Sequence, residues 1–325
     1  MQDQFERTID YMRISVTDRC NLRCIYCMPS EGVTPTNHDN ILRYEEVVRI
    51  VSVAARLGVK KIRITGGEPL IRKKLSFLIA SIRSIDGIDD ISLTTNGILL
   101  KKQIHQLAAA GLNRINVSLD SLNAEKYSEI TRGGDINTVL EGIQLAQQEG
   151  VSPIKLNMVP IRGFNDNEIE AFAELTVKTP FHVRFIEFMP IGAGAAWSEG
   201  KYISSEEIRQ RVSAMAPLIP VKLRRSGPAR YYRFENAPGV IGFISPITHH
   251  FCGSCNRLRL TSDGKLRPCL FSETEIDLKS ALRSGAQDEE IERLIRLSVE
   301  VKPQGHTIGH ERSFTHLKPM SKIGG

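Results

Sequence analysis

Short runs rich in β-branched and aliphatic residues alternate with longer amphipathic stretches through roughly the first 190 residues. The short runs predict six strands, at Tyr11–Thr17, Lys61–Thr65, Ile91–Thr95, Arg114–Leu119, Ile154–Val159 and His182–Met189. The longer stretches repeat their apolar residues at helical spacing and predict helices at Tyr44–Leu57, Ile71–Ser84, Lys101–Ala110, Asn137–Glu149 and Asp166–Lys178. Strands that alternate with helices in this way predict repeated βα units around a parallel sheet.

The number of βα units indicates whether such a sheet closes into a complete barrel, forms a partial barrel or stays an open sheet. A complete TIM barrel needs eight strands, so the count favours an α/β fold with a partial, open TIM-like (β/α)6 barrel. A doubly wound open sheet is the alternative, although the Gly-x-Gly-x-x-Gly sequence expected after its first strand is absent. Gly58, Gly111 and Gly150 each follow a predicted helix, as glycines at helix ends do.

The pattern changes after about Ile191, where a Gly- and Ala-rich loop begins. Beyond it we predict a mixture of helices and short strands, at Ser205–Ala214, Leu218–Arg224, Arg230–Glu235, Val240–Ile244, Glu275–Arg283 and Asp288–Leu297. The tail, Lys302–Gly325, has little periodicity and ends in two glycines. The sequence therefore predicts two domains, a barrel at 1–190 and a C-terminal α+β extension at 191–325.

Composition narrows the class of protein. With 41% hydrophobic and 25% charged residues, the 325-residue chain is neither disordered nor fibrous. A net charge of +6 is consistent with an anionic ligand such as a phosphate, but is too small to establish nucleic-acid binding. The sequence has neither a long apolar run nor the apolar core of a signal peptide at its start, so we expect a cytoplasmic protein without a membrane span. In a reducing compartment, six cysteines are more often metal ligands or redox groups than disulfide partners.

Three cysteines lie close together just after the first predicted strand. Cys20, Cys24 and Cys27 have the spacing C-x3-C-x2-C, and three such thiolates can hold three corners of a [4Fe–4S] cluster. The fourth iron is then open to another ligand. A zinc knuckle or buried thiols are the alternatives, but zinc prefers a fourth protein ligand, and neither His nor Cys occurs in the next ten residues.

The other three cysteines form a second group near the C-terminus. Cys252, Cys255 and Cys269 have the spacing C-x2-C-x13-C. This resembles half of a zinc ribbon, which His249 or His250 could complete. A second three-cysteine iron–sulfur cluster is the favoured interpretation, because all six cysteines then divide into two triads.

Basic residues recur within the predicted strands, where the interior of a barrel normally holds Val, Ile and Leu. Because alternate residues of a strand share a face, Lys61 and Arg63 point the same way, and Arg13, Lys155 and Arg184 occupy three further strands. These side chains could also point outward and snorkel into water. Their repetition beside two cysteine triads favours an anionic ligand in the barrel, because guanidinium groups match phosphate geometry.

Two motifs together resemble the radical S-adenosylmethionine (SAM) superfamily. They are the first cysteine triad, with Tyr26 before its third cysteine, and the Gly-Gly-Glu-Pro sequence that begins at Gly66. The whole chain is similar to the members of this superfamily that act on GTP in molybdenum cofactor biosynthesis. That similarity rests on MRISVTDRCNLRCIYCMP, RITGGEPL, LTTNG, NVSLD, FCGSCNRLRLTSDGKLRPCL and the terminal Gly-Gly.

The resemblance implies a reaction, cofactors and partners. It implies two [4Fe–4S] clusters and SAM, whose 5′-deoxyadenosyl radical removes the ribose 3′ hydrogen of GTP and so leads to (8S)-3′,8-cyclo-7,8-dihydroguanosine 5′-triphosphate. The second cluster is expected to bind the guanine. The expected partners are GTP and an electron donor, without nucleic acid or membrane, and the expected assembly is a monomer or homodimer. A two-cluster radical enzyme acting on a peptide and a zinc-dependent nucleic-acid binder are the alternatives.

The resemblance also implies the site residues, with no catalytic residue beyond the cofactors. The expected metal ligands are Cys20, Cys24, Cys27, Cys252, Cys255 and Cys269. The expected SAM contacts are Tyr26, Gly67, Ser118 and Met189. The expected GTP contacts are Arg13, Lys61, Arg63, Thr94, Lys155, Arg184, Arg257, Leu258 and Arg259. The terminal pair, Gly324 and Gly325, is expected to reach the active site, where residues without side chains fit a narrow channel.

Overall fold

Six parallel strands follow each other in chain order through the middle of the sheet. A computed structural model describes residues 1–191, 198–223, 227–306 and 319–323. The six strands are β1 (Tyr11–Ser15), β2 (Lys61–Thr65), β3 (Asp90–Thr95), β4 (Arg114–Ser118), β5 (Ile154–Met158) and β6 (His182–Ile186). All six overlap the predicted strands, and the α/β class is confirmed.

Helices connect these strands. They are α1 (Tyr44–Arg56), α2 (Leu75–Arg83), α3 (Leu100–Ala109), α4 (Ala124–Thr131), α5 (Ile136–Gln148) and α6 (Ile169–Lys178). The short helix α4 was not predicted; the side chain of Asn123 caps it by accepting a hydrogen bond from the backbone N–H of Lys126. The glycine after α3, Gly111, has a φ of +97°, which explains why a glycine ends this helix.

The C-terminal half of the chain adds strands to both edges of the same sheet. At one edge β9 (Val240–Ile244) pairs in parallel with β6, followed by β8 (Arg230–Arg233) and β7 (Ile219–Val221). At the other, β10 (Arg257–Leu260) pairs in parallel with β1, followed by β11 (Lys265–Arg267) and β12 (Ile276–Asp277). The extended sheet, ordered β12-β11-β10-β1-β2-β3-β4-β5-β6-β9-β8-β7, is therefore open, as predicted.

The remaining helices belong to the C-terminal half. They are α7 (Ser205–Met215), α8 (Leu278–Arg283), α9 (Asp288–Glu300) and the short α10 (Met320–Ile323). The predicted strand at Leu218–Arg224 is shorter than expected, and β10 to β12 were not predicted. The division at residue 190 stays a prediction, although the regions on either side of it share one sheet.

Alternation along the strands gives the sheet two different faces. One face carries fully buried aliphatic side chains such as Ile14, Ile64 and Val117, which belong to the same core as the buried residues of α1 to α3. The intervening positions are polar, and the register aligns them: Arg13 lies opposite Arg63 on one side and Arg259 on the other. The polar face is thus built from residues of neighbouring strands at one level of the sheet. No helix within the described ranges is both long and apolar enough to cross a membrane.

Candidate active site

The polar face of the sheet lines a cavity of about 220 Å³, which we call the cationic cavity. Its basic lining residues come from six strands and are Arg13, Lys61, Arg63, Arg114, Lys155, Arg184, Arg257 and Arg259. All of the predicted nucleotide-binding cations are therefore brought together. Thr94 lines the same cavity. Leu258 differs, because its side chain is 0% exposed and packs in the hydrophobic core, as expected from its position between Arg257 and Arg259 on a strand.

Burial and mutual repulsion work against the charges in this cavity. Burial lowers the pKa of Arg13 and of Arg63 to about 10, even though nearby Tyr11 opposes the shift. Lys155 is more strongly affected: burial, with Arg184, Arg114 and Arg63 nearby, lowers its pKa to about 6. A cluster of cations held together at this cost is a site for an anion, which would relieve the repulsion.

Neighbouring amides fix the orientation of one of these cations. The Nε of Arg184 donates to Oδ1 of Asn157 at 2.8 Å, and its Nη2 donates to Oδ1 of Asn116 at 2.6 Å. The Arg184 side chain is therefore held in place before any ligand arrives. Lys61 is held differently, by an ion pair of 2.8 Å with Asp10.

The second cysteine triad lines the same cavity. Cys252, Cys255 and Cys269 all contribute to its wall. Burial acts to raise the pKa of Cys255, but Arg257 and Lys302 outweigh burial and lower the pKa to about 6. A thiol with this pKa is largely thiolate at neutral pH, which is the form that binds iron or zinc.

Two histidines lie beside this triad. Within the described ranges, the ligand atoms of His250, Cys252 and His306 lie within 4.8 Å of one another, so His250 rather than His249 is placed to complete a zinc site. The Nδ1 of His250 and the Nε2 of His306 are 3.1 Å apart. The donor set at the second triad can thus be sulfur alone, or sulfur with imidazole.

A second cavity, of about 210 Å³, lies at the ends of the strands, and we call it the Gly-Gly cavity after Gly66 and Gly67, which line it. The first triad, Cys20, Cys24 and Cys27, lies on its wall. Burial raises the pKa of Cys27 to about 12, and the neighbouring Cys20 adds to this. Burial likewise raises the pKa of Cys24 well above its usual value, with Cys27 contributing. Clustered thiols in a buried site need a metal to hold them all as thiolates, which fits an iron–sulfur cluster.

Gly67 packs directly against the loop that carries the first cysteine triad. A Cβ atom on Gly67 would lie 2.2 Å from the carbonyl oxygen of Arg19, so only glycine fits. The next residue, Glu68, is buried, and burial raises its pKa to about 7. Its carboxylate accepts a hydrogen bond from the backbone N–H of Asn96 at 2.7 Å, and the side-chain amide of Asn96 donates to the Cys20 sulfur at 3.7 Å. The motif therefore positions the cysteine loop as well as lining the cavity.

The predicted SAM contacts Tyr26, Gly67, Ser118 and Met189 all line the Gly-Gly cavity. The hydroxyl of Tyr26 donates to Oδ2 of Asp120 at 2.6 Å, which ties the cysteine loop to the segment after β4. Burial raises the pKa of Asp120 to about 6. Asp120 is the last residue of the NVSLD motif, and no contact was predicted for it.

Comparison with known proteins places the chain in a family. Residues 14–176 match the radical SAM superfamily, and residues 181–308 match the family described as Molybdenum Cofactor Synthesis C. The chain is 52% identical over 327 residues to the GTP 3′,8-cyclase of Pelotomaculum thermopropionicum, and 53% identical over 327 residues to that of Thermodesulfovibrio yellowstonii. Both alignments cover 100% of each chain. The chain belongs to the GTP 3′,8-cyclase family.

Solved structures agree with this fold. SuiB of Streptococcus suis, solved with bound S-adenosylmethionine, superimposes with a TM-score of 0.65 over 96% of this chain and 76% of SuiB, at 14% identity. At that identity the likeness concerns the fold alone. Membership of the cyclase family makes the chain a radical SAM enzyme of molybdenum cofactor synthesis, which uses iron–sulfur clusters and SAM.

The two cavities of this cyclase-family chain share part of their walls. The residues common to both are Thr94, Asn157, Ile186, Met189 and Met320. Met320 begins α10, close to the C-terminus, and Ser321 also lines the Gly-Gly cavity. The predicted contacts of Gly324 and Gly325 lie outside the described residues.

Two lining residues of the cationic cavity, Tyr11 and Arg114, were not predicted as nucleotide contacts. Arg63 lies over the ring of Tyr11, with its guanidinium carbon 5.5 Å from the ring centroid. Arg114 forms an ion pair with Asp90. Tyr11 and Arg114 follow the same alternation along their strands that indicated Arg13 and Lys61. Their position on the cavity face could therefore have been predicted from the sequence.

Proposed function

We propose that this chain converts GTP to (8S)-3′,8-cyclo-7,8-dihydroguanosine 5′-triphosphate, with GTP in the cationic cavity and SAM in the Gly-Gly cavity. One observation carries the proposal: each cavity has its own cysteine triad, and the two cavities share a wall. A substrate in one cavity can therefore lie next to a cofactor in the other. An electron donor completes the set of partners.

The arginines of the cationic cavity bind the triphosphate. Arg13, Arg63 and Arg259 lie at one level of three adjacent strands, and Arg184 is oriented by its two asparagines. A hydrogen bond between charged groups contributes about 1.5–3 kcal/mol. Several of them, together with the relief of repulsion among the cations, favour a polyphosphate over a neutral ligand.

The residues of the Gly-Gly cavity hold the cofactors in place. Cys20, Cys24 and Cys27 would bind the first cluster, and Tyr26, fixed by Asp120, forms the neighbouring wall. When bound, the first cluster and SAM supply the radical chemistry, which the protein orients and shields from water. The cavity walls are largely apolar, with Phe188 and Ile191 among the lining residues, and this limits the access of water to the reacting groups.

The second triad would bind the second cluster on the wall of the cationic cavity. Its cysteines share that cavity with Arg257 and Arg259, so a nucleotide held by these arginines lies beside the cysteines. This placement fits recognition of the base by the second cluster, with the phosphates bound by the arginines along the sheet.

Iron content tests the assignment of the two triads. Anaerobically reconstituted protein should bind about eight irons per chain, and Cys24→Ser and Cys255→Ser should each lose about half. The Cys24→Ser variant should fail to cleave SAM, whereas the Cys255→Ser variant should retain a reducible first cluster. Mass analysis of the product formed from GTP, SAM and a reductant then tests the reaction. About four irons in the wild type, or zinc in place of iron, would contradict the proposal.

A further inference from the structure

Lys302 follows α9 and is buried against the second triad, with 2% of its surface exposed. Its Nζ donates to the backbone carbonyl of Arg257 at 2.9 Å and to that of Pro268 at 2.6 Å. Arg257 lies two residues after Cys255, and Pro268 comes directly before Cys269. One ammonium group therefore joins the two segments that carry these cysteines.

Arg7 holds the third cysteine segment from the opposite end of the chain. Its Nη1 donates to the carbonyl of Cys252 at 2.8 Å and to that of Gln304 at 3.0 Å, and its Nη2 donates to the carbonyl of Pro303 at 2.8 Å. Asp3 fixes this guanidinium through a contact of 2.6 Å, and both side chains are almost fully buried. Arg7 thus connects Cys252 to the residues that directly follow Lys302.

The charge on Lys302 lacks a carboxylate partner within the described parts of the chain. Both of its hydrogen-bond partners are neutral carbonyls, and a buried ammonium without an anion nearby is strongly unfavourable. The anionic groups that favour its charged form are the thiolates of Cys255 and Cys269. The cation and the cysteines are therefore mutually stabilising when the thiolates are formed.

We propose that Lys302 and Arg7 are positioning residues that brace the three cysteine segments of the second triad, and that the Lys302 ammonium also balances the negative charge of the cluster bound there. The inference rests on the proposed role of that triad. Neither residue lines the cationic cavity, so both act through the cysteine segments and not by touching the nucleotide.

The first triad has its own brace, so the effect is confined to one site. There, Nη1 of Arg132 donates to the carbonyls of Arg23 and Met28, at 2.8 and 3.0 Å. These two residues flank Cys24 and Cys27. Because separate cations hold the two triads, loss of Lys302 should leave the first triad intact.

The test compares full-length Lys302→Met, Lys302→Gln, Lys302→Arg and Arg7→Met with the wild type after anaerobic reconstitution. The Met variant removes both the charge and the donors, Gln keeps a donor without the charge, and Arg keeps the charge. Lys279→Met is the control, since this lysine also donates to neutral oxygens, those of Asn40, but at the protein surface. The measurements are iron content, thiol alkylation mapped by mass spectrometry, and redox titration of each cluster by electron paramagnetic resonance.

We expect Lys302→Met and Arg7→Met to fall from about eight to about four irons. Alkylation should then appear at Cys252, Cys255 and Cys269, with the first cluster and its response to SAM retained. Lys302→Gln should shift the reduction potential of the second cluster to a more negative value, because a nearby positive charge favours the reduced cluster. Lys302→Arg should retain more iron than Lys302→Met or Lys302→Gln, and Lys279→Met should have the iron content of the wild type.

Two results would overturn the brace. The first is that the wild type binds about eight irons and that Lys302→Met and Lys302→Gln also bind about eight, with the reduction potential of the second cluster unchanged. The other is equal loss at both triads in the Met, Gln and Arg variants, which would reveal general packing and not positioning. A wild type with only about four irons would instead contradict the proposed function itself.

Discussion

Binding of the nucleotide should take up a proton at Lys155. This residue is 6% exposed in the cationic cavity, and burial together with Arg184, Arg114 and Arg63 lowers its pKa to about 6. Above pH 6, Lys155 is therefore mostly the neutral amine before the nucleotide binds. A bound triphosphate favours the ammonium form and raises the pKa again. Affinity should then be highest at low pH and fall as the pH rises, because the protein must take up the missing proton.

The magnitude follows from the pKa. With a value of about 6, roughly 9% of Lys155 is charged at pH 7 and about 0.3% at pH 8.5. If the bound nucleotide raises the pKa above this range, affinity falls about 30-fold between these two pH values, with uptake of close to one proton. Starting at pH 7 keeps the terminal phosphate mostly ionised, since the second pKa of a phosphate monoester is about 6.

Titration calorimetry of the reconstituted enzyme with GTP measures both quantities. Runs at pH 7 and pH 8.5 in two buffers of different ionisation enthalpy give the affinity and the number of protons bound. Lys155→Met should bind more weakly with little pH dependence, whereas Lys101→Met, which removes a surface lysine paired with Glu141, should behave as the wild type does. Equal affinity at the two pH values, without proton uptake by the wild type, would refute the reasoning.

Three further predictions concern the first triad, the core and the tail. Gly67→Ala should lose the first cluster, and with it about half of the iron, because the new Cβ would lie 2.2 Å from the Arg19 carbonyl oxygen. Iron content and SAM cleavage measure this loss, and a variant with the full iron content would contradict the prediction. Phe243→Ala should lower the free energy of unfolding by about 3–5 kcal/mol, since this side chain is 2% exposed and stacked on a second phenylalanine; denaturant titration measures it, and a change below about 1 kcal/mol would contradict it. Deletion of Gly324 and Gly325 should leave iron content and Tm near those of the wild type and sharply reduce product formation from GTP. Product formation at the wild-type rate would show that the two glycines are not needed for the reaction.

The strands and the cations on them could be predicted from sequence for one physical reason. A strand in a parallel sheet with helices on one face must place apolar residues toward those helices, so a basic residue at an intervening position faces the other way. Lys61, Arg63 and Lys155 have this spacing, and all three line the cationic cavity. The first cysteine triad was equally predictable, because close spacing in sequence forces closeness in space. In the second triad, by contrast, the antiparallel pairing of β10 with β11 brings Cys269 back toward Cys255.

The pairing of β10 with β1 could not be predicted in the same way. Arg257–Leu260 is only four residues long and carries two arginines, so its composition does not indicate a strand, and its partner lies more than two hundred residues earlier. The contacts of Arg7 and Lys302 are of the same kind. Both residues are ordinary surface types by composition, and only the folded chain brings them to the cysteine carbonyls.

The geometry of β5 connects the two halves of the site. Lys155 faces the cationic cavity, and Asn157, two residues along the same face, lines both cavities while accepting a hydrogen bond from Arg184. Two residues along a strand span about 6.6 Å. A ligand held by Lys155 and Arg184 therefore lies only a few ångströms from the shared wall, where Thr94 and Met189 also contribute. The strand spacing thus sets how far the anion-binding cations lie from the place where the two cavities meet, and a change that displaces Asn157 should disturb both cavities at once.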